Sequence, residues 1–257
     1  MSATNAMKPP AIRYRDVIAS EITKITTHPA TLLMLAVTVV ANLALAGVDA
    51  AGVPFYTTNE QLEGLEPPST LSSFGIIMLA PIYAFLVIPV WAAATEHNGG
   101  QMRMSLAATP RRGRFLTAKL VATLAVTIVA AIIATVPPQL VIGIADGASI
   151  GDLMTACLQW VGAYVFMSVI AFGLAGILRS AIATLGIMIG LPIVIATGIL
   201  QWPDGIRFLP GQAALSLVGT PGYDVTELPV GIAALTLLAW SIIAVSGYSI
   251  AVTRRDA

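Results

Sequence analysis

Charge is scarce in this chain. Of its 257 residues only 10% are Asp, Glu, Lys or Arg, whereas 57% are hydrophobic. A soluble domain carries roughly 25% charged residues, so this supply cannot cover a water-facing surface. Several apolar runs reach the ~20 residues that cross a bilayer, and the mean hydropathy is +0.86. Together these features exclude an ordinary soluble domain and predict an all-α polytopic membrane protein. The formal net charge is zero, which leaves no basic footprint for a nucleic-acid partner.

Other absences narrow the chemistry. Cys157 is the single cysteine, so no internal disulfide forms, and in its apolar stretch it reads as a small hydrophobic residue. The only histidines are His28 and His97. Neither accompanies a GxSxG nucleophile or an HExxH zinc motif. Glu96 and His97 are adjacent, and adjacent residues on a helix point different ways. No catalytic site and no metal site is expected. Walker A, GxxxxGK[ST], is also absent, so the chain has no phosphate-cradling loop of its own. Any nucleotide that drives it must sit on a partner.

Ionisable groups are missing from the interiors of the apolar runs. Proton- or sodium-coupled transporters usually carry carboxylates, histidines or lysines along their pathways, so this absence counts against one. Asp49, Glu96 and Lys119 lie near span ends, where side chains are expected to reach water.

Residues 1–28 read as a cytoplasmic tail and an amphipathic helix. Tyr14, Ile18, Ile22 and Ile25 recur at helical spacing, with Arg13, Asp16, Glu21 and Lys24 elsewhere on the wheel. Such a helix is too charged to cross a membrane and is suited to its inner surface. Because about 28 polar or amphipathic residues precede the first apolar run, no cleavable signal peptide is expected. Residues 29–257 read as one six-span transmembrane domain. The spans are expected at about Ala30–Gly47, Leu71–Thr95, Phe115–Pro138 (continuing, kinked, towards Ile144), Met154–Leu178, Ala181–Leu200 and Pro229–Val252. Pro81 and Pro89 are expected to kink the second. Gly186 and Gly190 in the fifth have GxxxG spacing, which permits close approach of two helices. Residues 201–228 form an extracellular or re-entrant segment, in which FLPGQAALSL gives a short re-entrant or surface helix.

Orientation follows from the basic residues. With the N-terminus cytoplasmic, the inner segments hold Lys8, Arg13, Arg15, Lys24, Arg103, Arg111, Arg112, Arg114, Lys119, Arg179, Arg254 and Arg255, and only Arg207 falls outside. The positive-inside rule therefore predicts a cell-membrane protein with both termini in the cytoplasm.

The stretch from Glu96 to Lys119, EHNGGQMRMSLAATPRRGRFLTAK, is the one strongly basic segment between long apolar runs. A positive-inside loop touching lipid phosphates is the plainest reading. Its order is more particular than that. Gly99-Gly100 ends the second span, Met102, Met104 and Leu106 with two alanines supply a short and partly apolar helix, and Pro110 ends it. Arg111, Arg112 and Arg114 then lead into the third span.

This pattern resembles the region between the second and third spans of ABC transporter permeases of the type-2 exporter class. The matching positions are Glu96, Gly100, Arg103, Leu106, Thr109-Pro110, Arg111, Arg112, Arg114 and Lys119, with Gln101 where the family often has threonine. The N-terminal amphipathic helix, six spans and the Leu209-Pro210 segment before the last span resemble the family's wider plan. The resemblance implies a half-transporter without an ATPase site of its own. A second permease subunit, homo- or heterodimeric, would pair with it, and separate ATP-binding subunits carrying ATP and Mg would dock beneath. The elbow at about 96–114 would be the coupling helix. Met102, Met104 and Leu106 would make apolar contacts to the ATPase, and Arg111, Arg112 and Arg114 would meet acidic residues or lipid phosphates. The implied activity is export of a hydrophobic or amphipathic compound (a drug, lipid, peptide or natural product), with the substrate-lining residues unassigned. A non-transporting scaffold or immunity subunit is the alternative, and an ion-coupled secondary transporter comes third.

Overall fold

The computed structural model describes residues 13–53, 75–95, 112–199, 202–220 and 226–255. Every element among them is helical. Helix α1, Tyr14–Thr27, opens with the Arg13 backbone N–H donating to the Asp16 carboxylate at 3.1 Å. That carboxylate satisfies a donor which the first helical turn leaves orphaned. Pro29 then serves twice. It stops α1, and it occupies the first position of α2, Pro29–Ala50, where its missing N–H costs nothing.

The second apolar run is broken into α3, Gly75–Leu79, α4, Ile82–Phe85, and α5, Val87–Ala94. Pro81 cannot donate to the Ile77 carbonyl four residues back. The Ala80 N–H takes that carbonyl instead, at 3.1 Å, which tightens the turn and divides α3 from α4. Pro89 likewise deprives the Phe85 carbonyl of its usual donor, and α4 ends at Phe85. This segment is nonetheless the innermost of the bundle, with Ile82, Phe85, Leu86, Ile88 and Val90 all fully buried.

Helix α6, Arg112–Ala145, runs unbroken through Pro137 and Pro138. Its 34 residues at ~1.5 Å each span roughly 51 Å, well beyond the ~30 Å hydrocarbon layer. The continuity has a local explanation. Pro138 leaves the Ala134 carbonyl without an N–H, and the Asn42 side chain of α2 donates to it at 2.9 Å. The Tyr164 hydroxyl in turn donates to Asn42 Oδ1 at 3.2 Å. One amide thereby repairs a proline defect and ties three helices.

Helix α7, Ile150–Leu178, is capped by the Ser149 hydroxyl, which accepts from the Asp152 N–H at 3.2 Å. It ends at Arg179 in the left-handed region, φ +54°. Ser180 then caps α8, Ala181–Ala196, so that the two residues left between the expected fourth and fifth spans, Arg179 and Ser180, make a tight helical hairpin. Short helices α9, Pro203–Ile206, and α10, Pro210–Val218, precede α11, Val230–Arg255.

Among the described residues, five helical segments are long and apolar enough to cross a membrane: Pro29–Ala50, Gly75–Ala94, Gly113–Ala145, Ile150–Leu178 and Val230–Arg254. The expected fifth span is shorter than Ala181–Leu200. It stops at Ala196, followed by Thr197 and by Gly198 at φ +68°, a common helix-ending conformation. Its 16 residues cover roughly 24 Å. Helix α10 also departs from a surface placement, because Gln212 through Val218 are all buried, packed between α11 and α7.

The α7–α11 seam is built on small residues. A Cβ added at Gly173 would lie 2.5 Å from the Ala244 backbone, and one at Gly176 would lie 2.2 Å from the Tyr248 ring. Gly186 and Gly190 behave otherwise, since a Cβ at either meets nothing within 4 Å. The close helix approach within the described residues is made at Gly173 and Gly176.

Candidate functional site

Most of the elbow predicted to couple the chain to a partner lies outside the described residues: Glu96, Gly100, Met102, Arg103, Met104, Leu106, Pro110 and Arg111. Of the remaining positions, Arg112 is the first residue of α6 and Arg114 sits in its first turn, half-exposed. What the structure does show is the pair of helix ends that flank the elbow, α5 before it and α6 after it, and how α1 and the start of α2 hold them.

Helix α1 is fastened to the first turns of α6 at three points. The Tyr14 hydroxyl donates to Thr117 Oγ1 at 3.2 Å, and the Arg114 guanidinium lies 5.7 Å from the centre of the Tyr14 ring. The third point is ionic. Lys119 Nζ donates to Glu21 Oε2 at 2.9 Å, with both side chains 3% exposed. Lys24 Nζ, from the more exposed side, donates to the other carboxylate oxygen.

Two sequence expectations change here. Glu21 is on the inward stripe of α1, Val17–Glu21–Ile25, which follows the i, i+4 spacing of one helix face. Lys119 does not reach water but is buried over Phe115 and paired with Glu21. The physical reason is shared, because each charge can leave water only because the other is there. Burial alone would raise the Glu21 pKa, yet Lys119 and Lys24 outweigh it and hold the carboxyl below its ordinary value of 4.5. The group stays ionised, and with both oxygens engaged by ammonium groups it is not available as a proton acceptor.

The α2–α5 contact is made by His28 and Trp91. The indole N–H donates to His28 Nε2 at 2.9 Å, and the rings stand 5.3 Å apart at 49°. The Ala30 N–H also faces His28 Nδ1, at 3.2 Å. A neutral imidazole offers one lone pair, so the shorter indole bond dominates. Around these residues is a cavity of about 520 Å³, bounded by Glu21, Lys24, His28, Thr31, Trp91, Thr95 and Lys119 among others. Thr95 brings the end of α5 to it, and Lys119 brings in α6 beyond its first turn.

These contacts tie α1 to α6 through an ion pair and a hydroxyl pair, and the start of α2 to α5 through an indole–imidazole bond. They include no nucleophile paired with a base, and no cluster of three or more His, Cys, Asp or Glu that could hold a metal occurs among the described residues. Sequence reasoning picked out the basic elbow but missed the Glu21–Lys119 pair and the His28–Trp91 bond. The available signal was a glutamate four residues after Val17 and four before Ile25, a charge inside an apolar stripe. No protein-family model and no curated protein matches this chain.

Proposed function

We propose that this chain is the membrane-spanning permease subunit of an ATP-driven ABC exporter of the type-2 class, moving a hydrophobic or amphipathic compound out of the cell. The observation that carries the reading is the elbow sequence from Glu96 to Lys119, with its Arg-Leu-Thr-Pro-Arg order between two apolar helical segments. The reading includes six spans, with α8 as the short fifth, both termini in the cytoplasm and a second permease subunit alongside. ATP and Mg bind on a separate ATPase subunit.

The flanks of the elbow support this role. A push delivered to the elbow reaches α6 through Arg112 and α5 through Thr95, and the α1 clamp makes the start of α6 move with α1. Two helices joined by a buried ion pair transmit force better than helices resting on lipid alone, because the pair cannot slide apart without leaving charges unsatisfied.

Purification from native membranes in mild detergent tests the proposal. A soluble Walker A protein should accompany the chain in fixed ratio, and replacing Arg103, Leu106 and Arg111 together with alanine should release it while the chain stays in the membrane. Recovery of a stable oligomer of this chain without any ATPase, from membranes that retain such complexes, would sink the reading.

A further inference from the structure

A second cavity, of about 290 Å³, lies between α3, α4, α7, α8, α10 and α11. Leu174, Met188 and Ile195 are typical of its wall, and no Asp, Glu, Lys, Arg or His borders it. Three polar features interrupt this hydrocarbon lining: Tyr83, the Trp240 indole, whose N–H is taken by the Phe208 carbonyl at 2.8 Å, and the start of α10. Gln212 is only 5% exposed, borders the cavity, and makes no side-chain hydrogen bond among the described residues. Leu209 supplies no side-chain cap to the helix, and the first helical bond runs from the Ala213 N–H to the Leu209 carbonyl. The N–H groups of Gly211 and Gln212 are therefore orphan donors of the first turn. A buried amide beside uncapped donors is costly unless something completes their hydrogen bonds.

The rim of the cavity is apolar and open. Ile187 is 48% and Ile243 60% exposed, so the way in leads from the hydrocarbon phase rather than from water. The volume is near the lower end of ligand pockets, roughly 300 Å³, and fits one flexible chain better than a bulky ring system.

We infer that this chamber binds one uncharged amphiphile, with its hydrocarbon chain among α7, α8 and α11 and a hydroxyl, ester or amide oxygen at Gln212 and the α10 N-terminus. A charged head is excluded because no side chain of opposite charge would replace its lost hydration. The partial positive charge of a helix end offsets only a small part of that loss. As a statement about cargo this rests on the permease reading, whereas as a binding site it stands on the cavity alone.

Photolabelling of the full chain in lipid nanodiscs, without any ATPase, tests it. The probe is decanol carrying a diazirine in its chain. Saturable labelling is expected on the segments around Leu209–Leu215 and Trp240–Ala244. Excess decanol should compete, whereas decyl sulfate and decyltrimethylammonium at equal membrane concentration should not. Gly211→Leu should abolish labelling, since a Cβ there meets only Pro192 at 3.7 Å and the Tyr83 hydroxyl at 3.9 Å and the longer side chain fills the space. Gln212→Leu, which keeps the apolar fold, should weaken decanol competition about tenfold. Labelling that rises linearly without saturation, competition by the charged compounds, or an unaltered Gln212→Leu would each overturn the inference. Because no ATPase enters the assay, its failure leaves the copurification result untouched, and the reverse also holds.

Discussion

The α1–α6 seam and the α7–α11 seam hold their helices by opposite means. At the first, a carboxylate with 3% side-chain exposure faces an equally buried ammonium at 2.9 Å, and direction matters more than fit. At the second, Gly173 and Gly176 remove side chains so that Ala244 and Tyr248 can approach, and fit is everything. The difference follows from place. Helix α1 is amphipathic and short, with little apolar surface to bury, so it needs a bond that specifies one position. Helices α7 and α11 are apolar along most of their length and gain nothing from expelling water inside a bilayer; close packing is what distinguishes one neighbour from another.

The largest effect is expected at Lys119. Lys119→Met leaves the Glu21 carboxylate buried beside one remaining lysine and should cost about 3 kcal/mol, read by denaturant unfolding in mild detergent. The double replacement Glu21→Gln with Lys119→Met should recover most of that loss, because a buried pair is worth little over an apolar contact. Equal destabilisation by the single and double variants would show that the seam does not depend on charge. Acid sharpens the same point. The Glu21 pKa is lowered in the folded protein, so its contribution is fully present above the ordinary carboxylate value and is lost as pH falls through the lower folded value. Stability should hold from neutrality down to about pH 4.5 and drop below it, and Glu21→Gln should flatten that drop.

The glycine seam predicts a position-dependent response. Gly173→Ala forces a methyl against the Ala244 backbone and should cost about 2 kcal/mol. Gly186→Ala, on an open face, should cost nothing and can gain a few tenths of a kcal/mol from helix propensity. Thermal unfolding of the two variants side by side decides it, and equal shifts would remove the proposed packing role of Gly173.

A loss smaller than that at Gly173 is expected where the two strategies meet. Asn42 is a polar tie inside an apolar bundle, and Asn42→Leu should cost about 1 kcal/mol through the orphaned Ala134 carbonyl and Tyr164 hydroxyl. Amide hydrogen exchange around Pro138 should rise in that variant, since the side chain that bridges the proline defect is gone. Unchanged exchange there would show that α6 stays continuous without it.

Much of the fold was legible from particular residues. Pro29 marked a helix start, Pro81 and Pro89 marked breaks, and Arg179-Ser180, the two-residue gap between the expected fourth and fifth spans, marked a hairpin, whereas the start of α7 at Ile150, capped by Ser149, lies ahead of the expected Met154. Other features were not legible because the sequence shows a residue but not its neighbour. Pro137-Pro138 reads as the end of the third span or a kink in it until Asn42, far away in sequence, is seen to donate to the freed carbonyl. The GxxxG of Gly186 and Gly190 is the more conspicuous small-residue pattern, yet Gly173 and Gly176 meet the opposing helix. Glu21 reads as a surface charge until Lys119 faces it. For the candidate site, the elbow's composition and its flanks were visible in the sequence; most of the elbow itself lies outside the described residues.

An all-helical chain built for a bilayer follows from the residues alone. Long apolar runs and scarce charge leave no other solvent for it, and prolines, glycines and capping residues act on the backbone within a turn or two. Only the tertiary structure decided which polar groups are buried, which glycines are contacts, and that α10 is enclosed with its uncapped start at an apolar chamber. Those outcomes depend on what stands opposite each residue, and pairing across helices is set by the packing of the whole bundle.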